Sequence, residues 1–216
     1  MDRSRPSQSS RRPLRRAAAA VASMALVLTL APTASAADNN GRKWIVNSEF
    51  GYLYYIKYFP HSGFSSAFKS RIYEGAIQWN IGRELQFNPS SVDDNSVDID
   101  VYWTEIPWPF EQFCAATQAS GSGGQLYVAT IRFDPTPCNN SSTWYSGTGT
   151  PPTGTVDAMT AAIHEFGHAV ELYHSASPYA DHPEACMWPY FPNPPLTKRY
   201  LRQWDKDGEI KMYPAH

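Results

Sequence analysis

Residues 161–176 read AAIHEFGHAVELYHSA and hold His164, Glu165, His168 and His174 within eleven positions. His164 and His168 are four apart, so on an α-helix they project from one face, where two imidazoles can bind one metal ion. Glu165 follows the first histidine and can lie beside such an ion without ligating it. Two ligands and a carboxylate on one turn is the H-E-x-x-H arrangement, suited to peptide-bond hydrolysis assisted by zinc and a general base. The same spacing also arises on ordinary amphipathic surface helices, so taken alone it leaves both readings open. Either reading demands a helix, expected over residues 156–172.

The first 36 residues stand apart from that helix's domain. Arg11, Arg12, Arg15 and Arg16 precede an apolar run over residues 17–31, and Ala34-Ser35-Ala36 offers a small-residue cleavage site. Together they read as a secretory signal peptide, residues 1–36, cut after Ala36. The apolar run is shorter than the roughly 20 residues a membrane span needs. Arg11-Arg12 also resembles a twin-arginine export signal. Residues 37–216 are then expected to form one domain, long enough for a core of its own. The signal carries six of the 18 Lys+Arg and one of the 20 Asp+Glu, leaving 12 basic against 19 acidic residues, a net charge of −7. An acidic exported domain is a poor partner for nucleic acid or anionic membrane; a secreted, extracellular monomer is expected. Cys114, Cys138 and Cys186 all lie in the exported part, where disulfides form. Cys114–Cys138 would close a loop of about 25 residues, worth on the order of 3 kcal/mol. It is the expected pair, with Cys138–Cys186 the alternative and one thiol left over.

Residues 52–59, YLYYIKYF, are aromatic and β-branched and read as a strand stopped by Pro60. Phe68, Ile72, Ala76 and Trp79 then fall on one face of a helix that Ser65 or Ser66 can cap. Val97, Ile99 and Val101 alternate with polar residues as a half-buried strand, and residues 126–133 read as another. Residues 134–155 and 175–195 read as loops. A last helix is expected over residues 197–204, capped by Thr197. The order predicts an α+β domain: a small twisted mixed sheet, two long helices and a helical C-terminal part.

Two further features extend the motif: His174, six residues after His168, and Met187 in the turn ACMWPYF. The run His164 to His174 resembles the metzincin signature H-E-x-x-H-x-x-G-x-x-H, and Met187 resembles its Met-turn. The chain is most similar to the matrixin branch: HEFGHAVELYHS resembles its zinc helix with a trailing serine, Ser175. KWIVNSEFGYLYYIKYFP and RIYEGAIQWN resemble its opening strand and first helix, and DKDGEIKMY the end of its last helix. The resemblance covers most of residues 43–213. It implies a zincin-type fold with one catalytic Zn2+ on the second long helix. His164, His168 and His174 would be ligands, Glu165 the general base and Met187 a hydrophobic floor. Pro189 and Tyr190 would form a wall of the substrate pocket. The function implied is a secreted zinc endopeptidase acting on protein or peptide. Its rivals are a catalytically silent binding module that kept the fold, and a zinc amidase acting on a small amide.

Glu171 departs from the signature, which has glycine there. Glycine takes positive φ freely, whereas glutamate loses roughly 1 kcal/mol. Either the chain still turns at Glu171 and His174 reaches the metal, or the helix continues and Glu171 faces the metal itself. No inhibitory propeptide is expected, and no histidine–aspartate cluster for a second zinc. His61, His182 and His216 read as isolated surface residues. Asp93, Asp94, Asp98 and Asp100 offer a calcium site or a solvated loop.

Overall fold

In the structure, a computed structural model that describes residues 43–44, 54–82, 84–107, 113–137, 143–174, 185–188 and 198–214, the aromatic run forms β2, Tyr54–Pro60. Its residues alternate between buried and half-buried, the period-2 pattern of a strand packed on one face. Ile56 and Tyr58 turn inward, as do Leu85 and Phe87 of β3 (Leu85–Pro89) and Ile99 and Val101 of β4 (Ile99–Trp103). β2 pairs in parallel with both β3 and β4. On its other side β4 pairs in parallel with β6 (Gln125–Phe133), which also takes the two-residue β1 (Lys43–Trp44).

The last strand of this sheet is β5, Ala115–Ser122, antiparallel to β6. Its sequence, AATQASGS, has little strand propensity, and no strand is expected there from the sequence. Pairing along the whole of β6 carries it. The hairpin turns on Gly123 and Gly124, both at positive φ (59° and 79°), which glycine adopts without steric cost. A second correction concerns residues 134–155, read as loop: β7 (Thr143–Tyr145) and β8 (Thr155–Asp157) make a small parallel pair.

Helix α1, Ser66–Ala76, starts where Ser65 Oγ accepts the Phe68 N–H at 3.2 Å, a cap worth about 1 kcal/mol. A 3₁₀ turn, Ile77–Trp79, extends it. Helix α2, Ala158–Ala169, is capped by Asp157, whose carboxylate accepts the Thr160 N–H at 3.0 Å. Gly75 of α1 lies against Ala162 of α2, where an added Cβ would fall 2.6 Å from the alanine methyl. Phe166 of α2 meets Tyr58 and Phe87 of the sheet edge-on, each with ring centroids 5.0 Å apart. Helix and sheet are thus locked together one residue from Glu165.

The C-terminal helix is displaced from its expected position at residues 197–204: α3 spans Gln203–Met212. Asp205 sets its start by reaching back to accept the Arg202 N–H at 2.9 Å; Thr197 lies outside the described residues. Glu209 on α3 is buried, and burial together with the Glu84 charge pushes its carboxyl up to about 7. The folded protein therefore holds Glu209 neutral over a range where the unfolded chain ionises it. Its contribution to stability is full below about pH 4.5 and is lost as pH rises through 7. Glu209→Gln is expected to stabilise the protein by about 1–3 kcal/mol at pH 8 and to change nothing at pH 4. Chemical denaturation at the two pH values checks this.

Candidate metal centre

The zinc-motif helix ends in a manner its sequence does not favour. Val170 closes α2, the Leu172 N–H bonds the Gly167 carbonyl at 3.0 Å, and the Glu171 N–H bonds the His168 carbonyl at 2.9 Å. These two bonds make a Schellman cap with Glu171 in the position usually held by glycine. Glu171 has φ 66°, the only positive φ outside glycine among the described residues. Such a conformation costs an L-residue roughly 1–2 kcal/mol. The turn it creates carries His174 back over the helix.

His164, His168 and His174 meet there. The Nε2 atoms of His164 and His168 are 3.1 Å apart, and each lies 3.0 Å from Nε2 of His174. Among the described residues they form a cluster able to hold a metal ion, and Glu171 is not part of it. A tetrahedral zinc ion with nitrogens at about 2.0–2.1 Å holds them about 3.3 Å apart, close to this triangle. The opposite ring edges are occupied: His164 Nδ1 donates to the Cys186 carbonyl and His168 Nδ1 to the Leu172 carbonyl, both at 2.7 Å. In the neutral His164 and His168 rings those protons leave Nε2 as a lone pair, so two lone pairs face the same point. Burial favours the neutral rings, holding His164 well below the usual histidine range and His168 down at about 3. That is the donor set a divalent cation requires.

Glu165 is buried on the same turn, and burial pushes its carboxyl up to about 7. Met187 is fully buried, with its sulfur and Trp79 pressed against Gly167 of α2. A Cβ at Gly167 would overlap the Met187 sulfur, so this glycine lets the methionine turn lie directly on the helix. Asp205, fully buried, secures the turn: its carboxylate accepts the Cys186 N–H at 2.9 Å and the Met187 N–H at 3.1 Å. A chain of hydrogen bonds thus runs from α3 through the Cys186 peptide to the His164 ring. Asp205 does not stand out in the sequence; the resemblance of DKDGEIKMY to the end of the family's last helix is the signal that points to it.

Thr117 is equally silent in the sequence. Its hydroxyl donates to Glu165, from a strand with no legible pattern. Arg199 is another such residue. It pairs with Asp157, the cap of α2, at 2.6 Å and holds the Gly147 and Thr148 carbonyls. Pro189, Tyr190, His182 and His216 lie outside the described residues. Cys186 is a buried free thiol whose sulfur is 3.3 Å from the carbonyls of Lys198 and Tyr200.

His61 is not isolated, contrary to expectation. Its ring stacks on Tyr102 at 4.1 Å, with Nε2 2.8 Å from Asp100 and Nδ1 3.5 Å from Asp93. The two carboxylates face opposite ring nitrogens. Among the described residues His61, Asp93 and Asp100 also lie close enough together to hold a metal ion, a histidine–aspartate cluster that the sequence was not expected to contain. The other two acids of the run serve neighbours of their own: Asp94 is engaged with Ser96, and Asp98 accepts the Lys57 N–H at 2.7 Å.

A helix and sheet of this order, with three imidazoles brought together by a left-handed cap, define a metzincin-type zinc protease fold. The family model for matrixin matches residues 53–214, and the chain belongs to that family. Mouse (Mus musculus) matrix metalloproteinase-25 is 36% identical over 101 residues, 43% of this chain and 15% of the relative. The chain thus matches only a small part of that relative's length. Among solved structures it is similar to high choriolytic enzyme 1, a hatching-enzyme zinc protease from the medaka Oryzias latipes. That similarity has TM-score 0.48 and 14% identity, covering 81% of this chain and 95% of that one. Myroilysin is similar with TM-score 0.45 and 14% identity, covering 74% and 80%.

Proposed function

We propose that the chain is a secreted zinc-dependent endopeptidase in which His164, His168 and His174 hold one zinc ion and Glu165 is the general base. The observation that carries this reading is the convergence of three Nε2 atoms within 3.0–3.1 Å beside a buried glutamate. Zinc in such a donor set supplies Lewis acidity, lowering the pKa of water toward about 7 and polarising a carbonyl. Glu165 takes a proton from the attacking water and returns it to the leaving amine. Its depressed acidity suits both halves of that task, because a carboxyl near 7 both accepts and releases a proton at neutral pH.

Among the described residues β5 pairs only with β6, leaving its outer backbone edge next to α2 for an extended peptide. Backbone pairing of that kind favours polypeptide over a small amide. Met187 serves as the floor of the site, and Pro189 and Tyr190 as a pocket wall. Residues 1–36 act as the export signal, and residues 37–216 as the catalytic domain. No helix among the described residues is long and apolar enough to cross a membrane. Cys114 and Cys138 form the disulfide; Cys114 being bonded while Cys186 is free supports this pairing.

The test is cleavage of an unfolded protein such as casein. Activity is expected to vanish on chelation and return with stoichiometric zinc, one ion per chain. Cleavage that survives complete zinc removal would sink the proposal.

A further inference from the structure

Thr117 sits on β5, the strand that packs beside α2. By strand alternation Ala115, Thr117 and Ala119 share one face. The two alanines are small enough for the helix to approach, and Thr117 alone of the three brings a polar group. Its Oγ1 lies 2.7 Å from Glu165 Oε2 and 3.0 Å from the Glu165 backbone carbonyl. A threonine hydroxyl has one proton, so two acceptors on one residue compete for it.

We propose that Thr117 is the positioning residue for Glu165, selecting which carboxylate oxygen handles the proton in catalysis. This rests on Glu165 being the general base. While the carboxylate is ionised, its charge wins the competition and the hydroxyl donates to Oε2. That bond fixes the carboxylate plane and leaves Oε1 to receive a proton from water. Thr117 keeps its own proton throughout; the transferred proton passes from water to Oε1 to the amine. A donor held on a strand of the sheet thus fixes the orientation of a carboxyl carried by the helix.

Thr117→Val keeps the shape and the β-branched strand preference while removing the donor. It is expected to lower kcat by about 10- to 100-fold, the range of a hydrogen bond to a charged group. KM should stay within about twofold, with zinc content and melting temperature unchanged. Thr117→Ser, which keeps the donor, should restore kcat to within about threefold of wild type. In a Glu165→Gln background Thr117→Val should add no further loss, because the group it positions no longer ionises. Three results would overturn the role: unchanged kcat in Thr117→Val, loss of zinc in that variant, or equal defects in the valine and serine variants. A Glu165→Gln enzyme that stays active would instead overturn the underlying base assignment.

Discussion

Glu165→Gln is expected to fold, keep its zinc and lose about 10²–10⁴-fold in kcat/KM, the usual cost of losing a general base. The substitution is nearly isosteric, and the amide oxygen can still accept from Thr117, which lies 2.7 Å from the carboxylate. The carbonyls that hold the His164 and His168 rings belong to Cys186 and Leu172, not to Glu165. Burial disfavours the carboxylate charge, so the neutral amide should leave the melting temperature unchanged or slightly raised. Metal analysis and single-substrate kinetics on the same preparation separate loss of chemistry from loss of metal. Activity within threefold of wild type would exclude Glu165 as the base. The silent binding module would show no cleavage in either protein.

His174→Ala and Glu171→Gly are expected to diverge sharply. Removing His174 takes one corner from the Nε2 triangle and should weaken zinc binding by more than about 100-fold, beyond the 10–100-fold typical of outer-shell losses. Glu171→Gly removes the strain of φ 66°, roughly 1–2 kcal/mol. It also frees the unfolded chain, which offsets about 0.5–1 kcal/mol of that gain. The net change should be a gain of about 0–1.5 kcal/mol, with zinc affinity and activity retained. Glu171 is buried and is not among the residues grouped around the histidine triangle. Competition with a zinc chelator, run on both variants, decides the matter. Metal lost from Glu171→Gly and kept in His174→Ala would make Glu171 the ligand.

The spacing of His164, Glu165 and His168 was legible because a helix repeats every 3.6 residues whatever surrounds it. The aromatic strand at Pro60 and the Ser65 cap were legible for similarly local reasons, whereas which cysteine stays free was left open by the sequence. The cap at Glu171 was legible only as a conflict. Local preference argued for glycine, and the sequence could not say whether the helix would run on or turn. Tertiary structure resolved it: the Leu172 carbonyl is needed by His168, and that pairing exists only if the chain turns. β5 had no pattern to read, since its strand geometry comes from β6 and its glycine-glycine turn. His61 looked isolated because Asp93 and Asp100 are more than 30 positions away in the chain. Thr117 and Asp205 touch Glu165 and the Met187 turn from 48 and 18 residues away. Helix periodicity and turn chemistry act between near neighbours, and so the motif could be read in advance. The groups that orient its histidines and its carboxylate are brought to it by sheet pairing and helix packing, which no local pattern encodes.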